Sequence, residues 1–181
     1  MRSVVFLVAS GIVAAAVAYV AWLVLGALRK YRGVRVITCP ENKEHAAVEV
    51  DATQAAITAG FGETLLQLKS CSRWPERAGC GQMCLSQIEA SPQDCLLRTI
   101  LTKWYAGKSC VYCAKPLGEI DWIEHKPALR SLEGRTVEWH EVRPEQVYAT
   151  LATHQPVCWN CHVAESFRRQ HPELVIERPG H

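Results

Sequence analysis

The chain of 181 residues carries 20 lysines and arginines against 18 acidic residues, a formal net charge of +2. Five of the basic residues flank an apolar N-terminal stretch: Arg2, Arg29, Lys30, Arg32 and Arg35. Without them 15 basic residues face 18 acidic ones, so the body lacks the basic face that nucleic-acid binding requires. Nine cysteines, about 5% of the chain, are more than an ordinary core uses and indicate metal sites or disulfides.

The N-terminal stretch Val4–Leu28 contains 25 residues without a charge. At about 1.5 Å per residue this length is enough to cross a bilayer. A cleaved signal peptide is the alternative, because residues 16–18 resemble a cleavage site, but the apolar run continues for ten residues and favours an anchor. More basic residues follow the helix than precede it, so the positive-inside rule predicts a cytoplasmic soluble part. Thiols stay reduced there, so the cysteines are interpreted first as metal ligands.

The segment after the anchor has the pattern of strands joined by a turn. Residues 34–38 and 46–51 are β-branched or alternate in polarity, which predicts two strands. The connector 39–45 is rich in turn residues, so the strands are expected to form a hairpin. Cys39, followed by a proline at the end of the first strand, resembles one half of a zinc knuckle.

Three further elements are predicted before residue 108. Residues 64–71 alternate in polarity and are expected to form a third strand. A short helix over 80–89 would place Cys80 and Cys84 on one face, because they are four residues apart. A second helix over 91–107 begins with a Ser-Pro pair and ends at a glycine, both typical of helix termini.

The N-terminal lobe holds five cysteines, one more than a tetrahedral metal site uses. Four of them are predicted to form a metal site: Cys39, Cys71, Cys80 and Cys84. Cys95 falls on a predicted helix among leucines and is interpreted as a core thiol, with its exchange for Cys39 as the alternative. Zinc and an iron-sulfur cluster are both open here, because four thiolates suit either.

The C-terminal lobe contains two C-x-x-C pairs, Cys110 with Cys113 and Cys158 with Cys161. Four thiolates are what a structural zinc ion requires, and two such pairs are a strong signal. The patterns around them predict two strands and two helices, over 119–122, 135–140, 144–151 and 158–170.

The order of these features, a knuckle, then strands, then a C-x-x-C pair at the first turn of a helix, covers about residues 108–172. It resembles the treble-clef and zinc-ribbon group of zinc domains. The resemblance implies one structural zinc ion with Cys110, Cys113, Cys158 and Cys161 as ligands. A helix N-terminus also favours thiolates through its dipole.

The second pair permits a different interpretation. Cys158, Cys161 and His162 match the C-x-x-C-H motif by which c-type cytochromes attach haem. In that case His162 would be an axial ligand, Cys110 and Cys113 would have no role, and the domain would lie outside the cytoplasm. A cytoplasmic domain and the first cysteine pair therefore favour zinc over haem.

Together these patterns predict an α+β protein with one transmembrane helix followed by small cysteine-rich metal-binding lobes. The expected divisions are an anchor over 1–28, an N-terminal lobe over 29–107 and a C-terminal lobe over 108–181. No enzyme signature is found, so the expected function is a membrane-anchored, zinc-stabilised module that binds an unknown protein partner. The alternative is an electron-transfer protein with c-type haem or an iron-sulfur cluster.

Overall fold

The computed structural model describes residues 2–77 and 79–174. These residues combine helices with small antiparallel sheets, so the α+β class is confirmed. The chain divides into two compact units, unit 1 ending at Leu97 and unit 2 beginning at Arg98. The ends of the predicted anchor and C-terminal lobe, Met1 and residues 175–181, lie outside the described residues.

Helix α1 (Arg2–Tyr31) is continuous, and its segment Phe6–Tyr31 is long and apolar enough to cross a membrane. Its first half has exposed apolar side chains, whereas Ala27 and Tyr31 near its end are buried in the core of unit 1. Helix α2 (Ala52–Ala59) packs beside it. The helix therefore continues directly into the folded domain.

Arg35 corrects one part of the sequence argument. It was counted with the basic flank of the anchor, but its side chain is fully buried at the C-terminal end of α1. Its guanidinium donates hydrogen bonds to the carbonyl oxygens of Tyr31 (2.7 Å), Lys30 (2.6 Å) and Gly33 (3.0 Å). These carbonyls have no partner inside the helix, so Arg35 caps α1 rather than facing solvent.

A three-stranded antiparallel sheet forms the rest of unit 1. Strands β1 (Val34–Thr38) and β2 (His45–Val50) form the predicted hairpin, with Thr38 opposite His45. Strand β3 (Leu68–Cys71) pairs with β2 and is shorter than the predicted 64–71. The carbonyl of Gln67 accepts a bond from the N–H of Asp51 at 2.8 Å, but residues 64–66 are not paired with β2, although their alternating polarity is typical of a strand.

Two helices predicted for the N-terminal lobe are wrong in their bounds. Helix α3 (Leu85–Ala90) starts after Cys84, so Cys80 and Cys84 do not share a helical face. Gln82 has a φ of 51°, a left-handed conformation that breaks a helix between the two cysteines. Helix α4 (Leu97–Tyr105) begins six residues later than predicted, although it stops before Gly107, whose φ is 72°.

Unit 2 contains a second small sheet, in the order β5-β4-β6, built from β4 (Ala128–Arg130), β5 (Thr136–Val137) and β6 (Gln155–Val157). The predicted strand over 119–122 is wrong, because the Asp121 carboxylate accepts backbone N–H bonds from Ile123 and Glu124 and forms a turn. The predicted helices are present, as a 3₁₀ turn (Pro144–Gln146) leading into α5 (Val147–Thr153) and as α6 (Trp159–Gln170).

Candidate metal centre

The first pair of cysteines lies on a tight turn over residues 110–115. The backbone N–H of Cys110 bonds to the carbonyl of Lys115 at 2.9 Å, and the N–H of Ala114 bonds back to the carbonyl of Cys110 at 2.9 Å. Ala114 has a φ of 56°, which closes the turn, and a bridge between Ser109 and Pro116 holds its two ends together. This turn points the two cysteine side chains of the pair in one direction, as in a zinc knuckle.

The second pair of cysteines lies where β6 leads into α6. Cys158 immediately follows Val157 and is the N-cap residue of α6, and Cys161 lies in the first turn of that helix. The backbone N–H of Val111 bonds to the carbonyl of Pro156 at 3.0 Å, which attaches the knuckle to β6. The two pairs therefore meet because one hydrogen bond aligns the knuckle with the strand that precedes the helix.

The four sulfurs converge. Those of Cys110, Cys113, Cys158 and Cys161 all lie within 4.8 Å of one another. The Sγ atoms of Cys113 and Cys158 are 3.8 Å apart, and Cys110 is buried with Ala128 and Val157 behind the group. This set of donors can hold a metal ion.

The thiols of this centre are electrostatically unequal. Burial raises the pKa of Cys110, but backbone N–H groups of Cys158, Cys113 and Tyr112 donate hydrogen bonds to its sulfur and lower the pKa to about 6. Burial and then the neighbouring sulfurs, that of Cys158 first, raise the pKa of Cys161. A bound cation would offset the repulsion between thiolates and favour the deprotonated form of all four.

The surroundings of His162 do not favour a role as an axial haem ligand. It is only 5% exposed, and its Nε2 lies 3.2 Å from the Oε1 of Glu138. Its Nδ1 is buried and has no hydrogen-bond partner among the described residues. The ring is therefore within hydrogen-bond distance of Glu138 and is not part of the group of four converging sulfurs.

The four predicted ligands of unit 1 come together more loosely. Cys39, Cys71 and Cys84 belong to one core cluster, and Cys39, Cys80 and Cys84 line one cavity of about 30 Å³. Burial raises the pKa of Cys84 to about 11, with further contributions from Cys71, Cys80 and Cys39. Among the described residues, their sulfurs are not part of any group of three or more ligand atoms within 4.8 Å of one another.

Cys95 packs against the same core cluster as Cys39, Cys71 and Cys84 but has different immediate partners. Its thiol contacts the carbonyl oxygens of Ser91 (3.4 Å) and Pro92 (3.6 Å), and it lies near the buried Arg35. The structure thus places Cys95 with the cap of α1 rather than with Cys39.

One further group of potential ligands was missed by the sequence analysis: Asp121, Glu124 and His125. The signal was present, because spacings of three and four residues bring side chains together wherever the chain turns. All three residues are exposed, and the turn around the Asp121 carboxylate accounts for their proximity. We assign this group no role.

Comparisons with known proteins give no match to a protein-family model, a curated protein or a solved structure. The function therefore has to be argued from two features of the chain itself. These are the four-cysteine centre of unit 2 and the apolar helix α1.

Proposed function

We propose that this protein is a membrane-anchored binding module whose unit 2 is built around one structural zinc ion. The observation that carries the proposal is the convergence of four cysteine sulfurs within 4.8 Å. Knuckle, antiparallel strands and a C-x-x-C pair at the start of α6 also support a treble-clef arrangement. The ion in such a domain replaces apolar core that a small unit does not have.

The spacing of the sulfurs favours zinc over an iron-sulfur cluster. In a tetrahedral site with Zn–S bonds of about 2.3 Å, neighbouring sulfurs are about 3.8 Å apart. The Sγ atoms of Cys113 and Cys158 have this separation, 3.8 Å. A cluster would hold its four thiolates further apart, because they bind to separate iron atoms.

The same geometry weighs against covalent haem. Attachment needs both sulfurs of the C-x-x-C-H motif open for thioether bonds and the histidine free to bind iron. Here the sulfurs of Cys158 and Cys161 face the other cysteine pair, and His162 is buried against Glu138. The alternative electron-transfer function is therefore the weaker proposal.

Membrane attachment and orientation are part of the proposal. The helix Phe6–Tyr31 supports an anchor by its length and composition. With Arg35 buried, three exposed basic residues remain after the apolar stretch, Arg29, Lys30 and Arg32. They still outnumber Arg2 and support a cytoplasmic location for the part of the chain that follows the anchor. A fused reporter that is active only outside the cytoplasm should stay inactive; strong activity would contradict this orientation.

A protein partner is the proposed ligand of unit 2. The side chains of Ile123 and Leu132 are 83% and 84% exposed, in loops close in sequence to β4. We propose that these two exposed apolar side chains contact the partner. Ile123→Asp and Leu132→Asp should weaken co-purification of a stoichiometric partner without changing the metal content.

Metal analysis of the full-length chain, purified in detergent, tests the zinc proposal. Cys161→Ser should remove one zinc ion per chain relative to the unchanged protein, because it deletes one of four ligands. Cys95→Ser is the matched control, since this thiol lies outside the centre, and it should leave the zinc content unchanged. Iron with acid-labile sulfide, or a Soret band after export, would contradict the proposal.

A further inference from the structure

A second turn in the molecule has the backbone of the Cys110–Lys115 knuckle. In residues 39–44 the N–H of Cys39 bonds to the carbonyl of Glu44 at 2.8 Å, and the N–H of Lys43 bonds to the carbonyl of Cys39 at 2.9 Å. Lys43 has a φ of 63°, at the position equivalent to Ala114. The flanking pair Thr38 and His45 corresponds to Ser109 and Pro116 of the first turn.

The sulfur environment is also equivalent. In unit 2 the sulfur of Cys110 accepts bonds from the backbone N–H groups two and three residues later. In unit 1 the sulfur of Cys39 accepts bonds from Glu41 and Asn42, which are the same two positions. Backbone donors of this kind stabilise a thiolate, so Cys39 is presented as a metal ligand would be.

The two knuckles differ in one side chain, because Asn42 occupies the position of Cys113. Asn42 uses its side chain locally, accepting a bond from the N–H of Glu44 at 3.1 Å. The sulfur of Cys39 instead contacts a cation, because the Nη1 atom of Arg73 lies 2.7 Å from it. A complete site at this knuckle therefore needs three thiols from other elements.

Those thiols are close by. Cys71 ends β3, Cys84 directly precedes α3, and Cys80 lies in the loop between them. Cys80 and Cys84 line one cavity together with Cys39, and Cys71 packs against the core cluster that contains Cys84. Three of the four thiols therefore border one space that can receive an ion.

We propose that unit 1 holds a second, mononuclear tetrathiolate site, formed by Cys39, Cys71, Cys80 and Cys84, for a thiophilic divalent cation such as zinc. Its thiols are more widely spaced than those of unit 2, and side-chain rotation around the bound ion closes the site. Arg73 stays beside Cys39 and stabilises its thiolate from outside the coordination sphere. This inference is independent of the proposed function of unit 2.

The first experiment counts metal in the full-length chain after loading with cobalt(II), whose bands report tetrahedral thiolate ligation. The unchanged chain should bind two ions. Cys39→Ser and Cys84→Ser should each bind one, as should Cys161→Ser through loss of the other centre, while Cys95→Ser keeps two. One ion in the unchanged chain, retained in Cys39→Ser and lost in Cys161→Ser, would overturn this proposal and leave that for unit 2 intact.

A gain of function separates ligation from folding. Cys80→Ser should reduce binding to one ion, and adding Asn42→Cys should restore two, because position 42 is the equivalent of Cys113. In a matched control, Asn42→Ser added to Cys80→Ser should not restore the second ion. A Cys80→Ser chain that still binds two ions, or fails to regain the second with Asn42→Cys, would contradict the proposal.

Discussion

Unit 1 and unit 2 place their cysteines on similar turns but surround them with different amounts of apolar core. Among the described residues, the main cluster of unit 1 contains eleven buried side chains, including Val48, Leu68 and Ile88. The cluster behind the centre of unit 2 contains three, Cys110, Ala128 and Val157. Unit 2 also buries Ile100, Leu101, Tyr105, Leu129 and Val147, but these are not part of the cluster behind its cysteine centre. Apolar burial contributes about 25 cal/mol per Å², so the packing around the unit 1 cysteines contributes more stability than the packing around the centre of unit 2.

The comparison shows that one turn can serve two structural roles. In the proposed zinc centre of unit 2 the knuckle would supply two ligands, and the ion would replace part of the core. In the proposed site of unit 1 the same backbone would supply one ligand at the edge of a sheet that is already packed. We therefore expect metal to be essential for the structure of unit 2 and only an addition to that of unit 1.

Removal of metal should produce the largest difference between the units. Structural zinc contributes about 10–16 kcal/mol in small zinc domains, as much as the whole stability of an ordinary domain. Treatment of the full-length chain with a strong chelator should therefore abolish amide-exchange protection in β4, β6 and α6 and leave β1 and β2 protected. Equal loss of amide-exchange protection in both units, or no loss in unit 2, would contradict the expectation that metal is essential only for the structure of unit 2.

The second effect concerns Arg35, the buried cation of unit 1. Arg35→Met should destabilise unit 1 by about 3 kcal/mol or more, because the carbonyls at the end of α1 lose their donors. Chemical denaturation followed by amide exchange would measure it. Arg32→Met is the matched control and should change stability by less than about 0.5 kcal/mol, since Arg32 is exposed. Equal effects would show that Arg35 does not act as a cap.

The smallest effect tests whether the two turns are alike. Lys43→Gly and Ala114→Gly should each stabilise their unit by about 0.5–1 kcal/mol, because both residues have a left-handed φ that glycine adopts without strain. Ala149→Gly, inside α5, should cost about 1 kcal/mol instead. Gains that differ in sign between positions 43 and 114 would show that the turns are not equivalent.

The sequence predicted the elements whose local signals agree with their packing. The β1–β2 hairpin has β-branched strands around a turn-rich connector, and α6 begins at a cysteine pair and ends shortly before a proline. The convergence of the four cysteines of unit 2 was predictable because their spacing has few other uses. Their binding of a metal, the identity of that metal and the role of the unit stay predictions, because spacing does not determine them.

Helix α2 carries local signals that the sequence analysis overlooked. Four of its eight residues are alanines, and the Asp51 side chain caps its start by accepting bonds from the N–H groups of Thr53 and Gln54. Other features depended on contacts between distant residues and could not be predicted. The cap by Arg35 requires tertiary packing, since an arginine after an apolar helix is typical of a membrane flank. The two turns are similar because Cys39 and Cys110 make equivalent backbone hydrogen bonds, and no common sequence motif marks this similarity.

The Arg35 cap has a mechanical consequence for the whole of unit 1. Only Arg32 and Gly33 separate α1 from β1, and the guanidinium ties the carbonyls of Lys30, Tyr31 and Gly33 to the first strand. The junction is therefore rigid, and rotation of the helix about its axis also rotates the sheet. If two such helices associate side by side in a bilayer, the face of the helix that forms the contact determines which faces of the two copies of unit 1 lie opposite each other.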